Sequence, residues 1–290
     1  MSLFEQTITR LKKEKAQAGG AEPGAPHTGA SDHHIDPHLE MSNSANRISI
    51  DCEVLRAAGY WPEAAKEKQF ANQFRRIKRP LIDKAHAGKS ASGDPRIIMV
   101  TSALAGDGKT FTSVNLALSM SMEHDMSVLL IDADVAKRHV SEILGLGAKP
   151  GLMDVLAQEK TEPHSVVIPT TTRGLSILPA GAHVPNTSEL LSSSRMGKLM
   201  ASLSAANPRR ILLLDSPPLL LTSEATSLLK YVGQVVLVVR ARQTPRQALR
   251  AALALLDMHK AGGVVLNDVA GGFTDEYYGY GSYGTDGKKS

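Results

Sequence analysis

Apolar residues along this chain fall into two rhythms. Short unbroken runs have the length and aliphatic character of strands buried on both faces. They are Ile97-Ile98-Met99-Val100, Ser127–Asp134 (SVLLIDAD), Arg210–Pro218 (RILLLDSPP), Gln234–Val239 and Gly263–Leu266. Longer stretches between them read as helices. Phe111–Met122 carries Val114, Leu116, Ala117, Leu118 and Met120. Thr187–Ala205 is introduced by Asn186-Thr-Ser-Glu189, whose Asn and Glu have capping chemistry. Ser223–Tyr231 and Pro245–His259 follow, the latter with Pro near the first helical position. Leu152–Gln158 predicts a short helix after Gly145, Gly147 and Gly151. Ser165–Ile168 and Leu175–Leu178 predict strands around the polar turn Thr170–Gly174, and Pro179–Gly181 a further turn. Strands alternating with helices predict an α/β fold, a mostly parallel sheet with helices on both faces.

Upstream of this region the pattern changes. In Glu63–Arg79 the residues Phe70, Phe74, Ile77 and Leu81 recur at i, i+4, i+7 and i+11, an apolar helical stripe. Lys66, Lys68, Arg75, Arg76, Lys78 and Arg79 are expected on the other faces, and Pro80 is expected to break or kink the helix. Two readings stand: a basic solvated helix capping the core, or a subunit-contact helix whose arginines pair with a neighbour's carboxylates. Ile48–Ala58 reads as ordered, and His86–Pro95 as a Gly/Ser loop. Gly19–Asn46 has almost no large apolar residues and reads as a disordered linker, in which His33, His34 and His38 do not make a metal site. Ser2–Ala16 reads as a short amphipathic helix, suited to a membrane surface or a partner, or simply solvated.

Composition narrows the class. The 290 residues are 42% hydrophobic and 4% aromatic, so the expected core is aliphatic. A net charge of +4 with dispersed basic residues gives no reason to expect a nucleic-acid partner. Cys52 is the one cysteine, compatible with a reducing cytoplasm. No apolar run approaches the roughly 18 residues of a membrane span, and the N-terminus lacks a signal-peptide core. The expectation is a cytoplasmic protein whose membrane contact is peripheral.

The candidate chemistry sits at the ends of three strand runs. After Val100 comes the small-residue loop Ser102–Gly108, then Gly108-Lys109-Thr110 opening a helix. Strand, loop, Gly-Lys-Thr and helix is the phosphate-binding P-loop context. Small side chains let backbone N–H groups curl around phosphate oxygens, and the helix N-terminus adds partial positive charge. Lys109 is then the ligand of the β/γ-phosphates and the Thr110 hydroxyl a ligand of Mg²⁺. Ala103 stands where the strict pattern has its first Gly. The other two runs end in Asp132 with Asp134, and in Asp215, and the carboxyl edge of a parallel sheet is where ligands bind. Carboxylates there hold Mg²⁺ directly or through water, and one can accept a proton from an attacking hydroxyl.

The last stretch, GGFTDEYYGYGSYGTDGKKS, places Tyr277, Tyr278, Tyr280 and Tyr283 among glycines without any apolar period. With an ATP site upstream, flexible phenols read as acceptors of phosphoryl groups, the alternative being stacking or low-complexity adhesion. Together the chain resembles the bacterial tyrosine kinases that control polysaccharide synthesis and export, and is most similar to the stand-alone autokinases found with exopolysaccharide and exosortase loci. TSALAGDGKT is similar to the family's Walker A, LLIDAD to its Walker A′ and ILLLDSPP to its Walker B. PAGAHVPNTSELLSSSRM and the tyrosine cluster also match its pattern.

The resemblance implies a kinase moving the γ-phosphoryl of ATP·Mg²⁺ onto tyrosines of neighbouring subunits' tails. It implies Lys109, Asp132, Asp134 and Asp215 as catalytic, and Thr110, Asp132 and Asp215 around the metal. Ala105, Gly106, Asp107, Gly108, Lys109, Thr110 and Phe111 would hold ATP, with Arg240 and Asn267 near the adenine. Tyr277, Tyr278, Tyr280 and Tyr283 would be the autophosphorylation sites. The implied partners are a ring of its own copies, the cytoplasmic tail of a membrane chain-length-determinant protein, and a phosphotyrosine phosphatase. That would place the chain peripherally at the inner membrane. The implied organisation is a helix over 1–17, a linker over 18–47, an oligomerisation segment over 48–95, the kinase domain over 96–270 and the tail over 271–290.

Two departures from the family pattern are visible. Ala136 is followed by Lys137 and Arg138 where many members carry Arg sooner. The ring-contact Glu-x-x-Arg-x-x-Arg is matched by Asn72, Arg75 and Lys78, without the glutamate. The alternatives are a partitioning or division-site ATPase, in which Leu104 would replace a signature lysine, and a nucleotide-binding scaffold without transfer activity.

Overall fold

The structure is a computed structural model that describes residues 47–88, 92–158 and 160–269. The predicted N-terminal helix, the linker up to residue 46 and the tyrosine tail lie outside the described residues. Strands and helices run in the order α1 (Cys52–Ala57), α2 (Glu67–His86), β1 (Ile97–Ser102), α3 (Lys109–Met120), β2 (Ser127–Asp132), α4 (His139–Ile143) and α5 (Leu152–Ala157). Then come β3 (Ile168–Pro169), β4 (Leu175–Leu178), α6 (Thr187–Ser192), α7 (Ser194–Ala205), β5 (Arg210–Asp215), α8 (Ser223–Leu228), β6 (Gln234–Arg240), α9 (Arg246–Ala254) and β7 (Ala261–Asn267).

One sheet of seven strands, in the order β3-β4-β2-β5-β1-β6-β7, holds these together. All neighbours are parallel except β3, which pairs antiparallel with β4. The central strands are aliphatic at nearly every position because both faces are covered. Ile97, Met99, Leu129, Ile131, Leu212, Leu214, Val235 and Leu237 join the core beneath α5–α9. Their neighbours Ile98, Val100, Val128, Leu130, Ile211, Leu213, Val236 and Val238 join the core beneath α2 and α3. Each fully buried side chain of this size contributes roughly 1.5–3 kcal/mol.

Sheet register brings the three predicted strand ends together. Val100 pairs with Asp215, and Asp132 pairs with Asp215. The P-loop therefore leaves β1 beside the carboxylate that ends β5, with the β2 carboxylate one strand further on.

Several local expectations give way to tertiary contacts. The helix expected to break or kink at Pro80 is not broken there and runs on to His86. Phe74, Leu81, Ile82 and Ala85 are buried along it, and the Gln234 amide donates to the Leu81 carbonyl at 2.9 Å. That anchorage outweighs the single helix bond that proline removes. Lys78 is not on a solvated face. It is buried, donating to the Ser119 carbonyl at 2.6 Å and pairing with Glu123 at 2.8 Å, so it ties α2 to the end of α3.

The single helix expected over Thr187–Ala205 is two, interrupted where Ser193 is extended (φ −73°, ψ 160°) and its carbonyl accepts from the Tyr231 hydroxyl at 2.6 Å. Asn186 does not cap α6 through its side chain. It is left-handed (φ 59°), whereas side-chain capping needs the extended region. The helix expected over Pro245–His259 stops at Ala254, and a separate 3₁₀ turn, Met258–Lys260, is capped by Asp257. Pro163–Val166 is a 3₁₀ turn, leaving only Ile168–Pro169 as strand in place of Ser165–Ile168.

Lys78→Ala should lower stability by about 1–3 kcal/mol in urea unfolding, because it leaves the part-buried Ser119 carbonyl without its donor. Arg79→Ala, whose side chain is 76% exposed, should stay within about 0.5 kcal/mol.

Candidate functional site

The P-loop owes its shape to side chains from distant parts of the chain. Gly106 and Gly108 are left-handed (φ 87° and 96°), a conformation glycine adopts without strain. A Cβ on Gly108 would also run into the Asn267 amide. Between them Asp107 is buried and held on three sides. One carboxylate oxygen accepts from the Leu104 N–H at 3.2 Å, the other accepts from the Thr244 hydroxyl at 2.7 Å, and its carbonyl accepts from Asn267 at 3.0 Å. Arg240 pairs with Asp268 at 3.0 Å and donates to the Gly106 carbonyl at 3.5 Å. Arg240 and Asn267, expected near the adenine, thus both brace the loop itself. α3 starts at Lys109 with no side chain capping it, so its leading N–H groups are available to phosphate oxygens.

Lys109, Thr110, Asp132, Asp134 and Asp215 converge as expected, and all are buried. The Lys109 ammonium lies 2.5 Å from Asp134. Thr110 donates to one oxygen of Asp215 at 2.8 Å, and Ser113 donates to the other at 2.9 Å. Asp132 accepts from the Ser141 N–H and hydroxyl at 2.8 and 2.7 Å through one oxygen, while its other oxygen has no partner. Phe111 turns the other way, edge-on to Phe70 of α2 with ring centroids 5.4 Å apart. Asn115, one turn further along α3, donates to the carbonyls of Phe111 and Tyr60 at 2.7 and 2.8 Å.

Electrostatics follow from this crowding. Burial first, then the charge of Asp215, push Asp132 up to about 7 against the bonds from Ser141. Burial also raises Asp215, opposed by Lys109, Thr110 and Ser113. Burial alone would lower Lys109, yet Asp215 and Asp134 hold it above its ordinary value, so it stays cationic. The Tyr60 phenol is raised by burial and by Asp215, against Lys109, which places it within the field of this site.

The donor set fits Mg²⁺, a hard cation that takes oxygen ligands. Thr110 gives its proton to Asp215 and keeps lone pairs for a metal, and Asp132 has a buried oxygen unengaged. Each oxygen of Asp215 accepts one hydroxyl, from Thr110 and from Ser113, so it orients Thr110 beside the expected metal position. Ser113, Ser141 and Thr244 are site residues that sequence reasoning missed. Only Ser113 had a signal, standing three residues after Thr110 on one helix face. Ser141 and Thr244 are brought in by tertiary structure. Tyr277, Tyr278, Tyr280 and Tyr283 lie outside the described residues.

Comparison with known proteins gives a coherent group. The family model described as "ParA: NUBPL iron-transfer P-loop NTPase" matches residues 95–267. Tyrosine-protein kinase YwqD of Bacillus subtilis is 34% identical over 190 residues, covering 65% of this chain and 77% of that protein. Tyrosine-protein kinase wzc of Salmonella typhi is 35% identical over 192 residues, 64% of this chain but only 26% of that protein, so the match spans about a quarter of the longer relative. The kinase domain of Escherichia coli tyrosine kinase ETK superposes with a TM-score of 0.55 at 30% identity, covering 60% of this chain and 67% of that one.

Asp132 should leave a signature in stability. Its folded-state value is raised from 3.8 to about 7, so its contribution is full below pH 4 and is lost as pH rises to about 7. Wild type minus Asp132→Asn, followed by chemical unfolding across that window, should fall with a slope approaching about 1.4 kcal/mol per pH unit. A flat difference would mean Asp132 is ionised throughout.

Proposed function

The chain belongs to the bacterial tyrosine kinases, within the ParA-like P-loop NTPases, and from that premise we propose that it is an ATP-dependent protein-tyrosine autokinase. The observation that carries this reading is the buried cluster at the strand ends: the Lys109 ammonium, the Thr110 hydroxyl with lone pairs left for a metal, and Asp132, a carboxylate with one buried oxygen unengaged. Phosphoryl transfer asks the protein mainly for positioning and charge compensation. The P-loop N–H groups and Lys109 would hold the β- and γ-phosphates, with Lys109 exchanging Asp134 for a phosphate oxygen. Mg²⁺, when bound through Thr110 and Asp132, would supply charge neutralisation on those phosphates. A tyrosine oxygen would form the new P–O bond as the bond to the ADP oxygen breaks, and the phenolic proton would pass to a carboxylate of the cluster not engaged by the metal. Asp215 keeps Thr110 oriented.

The acceptors in this proposal are Tyr277, Tyr278, Tyr280 and Tyr283 of neighbouring copies, and the process served is exopolysaccharide polymerisation and export. A membrane chain-length-determinant tail would activate the ring, and a phosphotyrosine phosphatase would reset it. Among the described residues no helix is long and apolar enough to cross a membrane; peripheral placement at the inner membrane would come through that partner. A subunit contact through α2 would use the exposed side chains of Arg75 and Arg79, whereas Lys78 is committed to α3. The iron transfer in the family description calls for thiolate ligands, and Cys52 is the one cysteine.

Incubation of the pure protein with ATP and Mg²⁺ should yield phosphotyrosine confined to residues 277–283 by mass spectrometry. Lys109→Ala should lose at least about 100-fold in rate while retaining its unfolding transition. Phosphate incorporation at the wild-type level after Phe replacement of all four tail tyrosines would remove the tail as principal acceptor.

The same modification should regulate assembly. Each phosphotyrosine adds about −1.5 to −2 charges, so four add roughly −6 to −8 within seven residues. The phosphorylated protein should show a smaller oligomer mass than unphosphorylated Lys109→Ala at modest salt. An equal or larger mass would rule the switch out.

A further inference from the structure

The loop that follows Asp134 carries a cation that the reaction described above does not use. The N–H groups of Lys137 and Arg138 both donate to the Asp134 carbonyl, at 3.0 and 2.7 Å. The chain therefore turns back directly over the second aspartate, and such a turn keeps the Cα atoms of Asp134 and Lys137 within about 7 Å. Asp134 in turn holds Lys109. Lys137 is thus anchored by its backbone one turn from the ion pair at the centre of the site.

The two cations of this turn are differently placed. Arg138 donates to the Gly147 carbonyl and lies 3.6 Å from Glu142, so it holds its own loop together. Lys137 is exposed, and among the described residues it has no ion-pair partner. Beneath this rim the floor of the site is acidic: Asp132, Asp134 and Asp215 against Lys109 alone. An acceptor segment bearing carboxylates would be repelled by that floor unless a cation at the mouth compensated it.

The acceptor segment does bear them. Asp275 and Glu276 stand immediately before Tyr277. Extended chain advances at most about 3.3–3.6 Å per residue. With the Tyr277 phenol at the reacting centre, those two carboxylates are at most about 7 Å along the backbone from the tyrosine.

We propose that Lys137 determines acceptor specificity: it selects tyrosines preceded by acidic residues, by pairing with the carboxylates of Asp275 and Glu276. The proposal rests on the tyrosine-kinase reading above and names the substrate class of that site. Lys137 acts as a positioning residue; it takes no part in the bond changes. It also implies an order within the cluster. Phosphate on Tyr277 places about −1.5 to −2 charges directly before Tyr278, so transfer to Tyr277 makes Tyr278 a better ligand for the same lysine.

The test uses the full chain, ATP and Mg²⁺, with synthetic peptides spanning residues 273–284. One carries the natural Asp275-Glu276, a second Asn-Gln, and a third Lys-Lys at those positions. Wild type should show a KM for the acidic peptide about fivefold below that for Asn-Gln, with kcat within twofold, and the ratio should shrink in high salt as expected of an exposed pair. Lys137→Ala should bring the two KM values together, and Lys137→Glu should prefer the Lys-Lys peptide. Equal ratios in wild type and Lys137→Ala, with all peptides phosphorylated, would overturn the assignment of Lys137 and leave the kinase reading standing. No phosphotyrosine on any peptide or on the tail would overturn both.

Discussion

One ammonium among three carboxylates, where water scarcely reaches, is the constraint on which this site depends. Asp132 and Asp215 are side by side in the β2–β5 register and fully buried, with Asp134 close to Lys109. Like charges that close are not all ionised without compensation. Lys109 supplies the cation within this cluster, and the hydroxyls of Thr110, Ser113 and Ser141 supply dipoles. What remains uncompensated falls on Asp132, the carboxylate with an unbonded oxygen and a proton affinity near neutrality. The arrangement is held from below. A one-residue slip of β1, β2 or β5 would exchange the side chains of two aliphatic cores, and the same slip would carry the aspartates off the edge. Greasy residues in mid-strand thereby hold charged ones at the strand ends.

The sheet and the charged centre were legible in the sequence because each strand announces both its burial and its end. VLLID and ILLLD are aliphatic without a break and stop at a carboxylate, and IIMVTS stops at a loop of small residues ending in Gly-Lys-Thr. What was not legible depends on partners far along the chain. Ser141 is recruited to Asp132 by the fold of α4, and Thr244 meets Asp107 across 137 residues. Neither lies in a pattern that names its partner. The helix errors have the same origin. Pro80 and Asn186 were read by local propensity, but Pro80 sits in a helix pinned by Gln234 and buried side chains, and Asn186 adopts a left-handed conformation its residue type tolerates. The break at Ser193 is maintained by Tyr231, 38 residues away.

The segment preceding the P-loop strand has more than one attachment. α2 lies on α3 through Phe70, Phe74 and Lys78, and Lys84 reaches the backbone carbonyls of His259 and Ala261 at 3.0 and 3.2 Å. Phe111, the second residue after Lys109, packs on Phe70. A force on the outer side of α2 therefore has a short packed route to the start of the phosphate-binding helix, through side chains that touch at each step.

The clasp of Asn267 on Asp107 also has a consequence for biogenesis. These partners are 160 residues apart, and Asn267 closes the last strand of the sheet. During synthesis at about 5–20 residues per second, the P-loop leaves the ribosome on the order of ten seconds before the side chain that completes it. Over that interval the glycine loop has its sequence but lacks its brace. The braced form of the loop is thus reserved for chains translated through β7, and a prematurely terminated product carries Lys109 on a loop without its clasp.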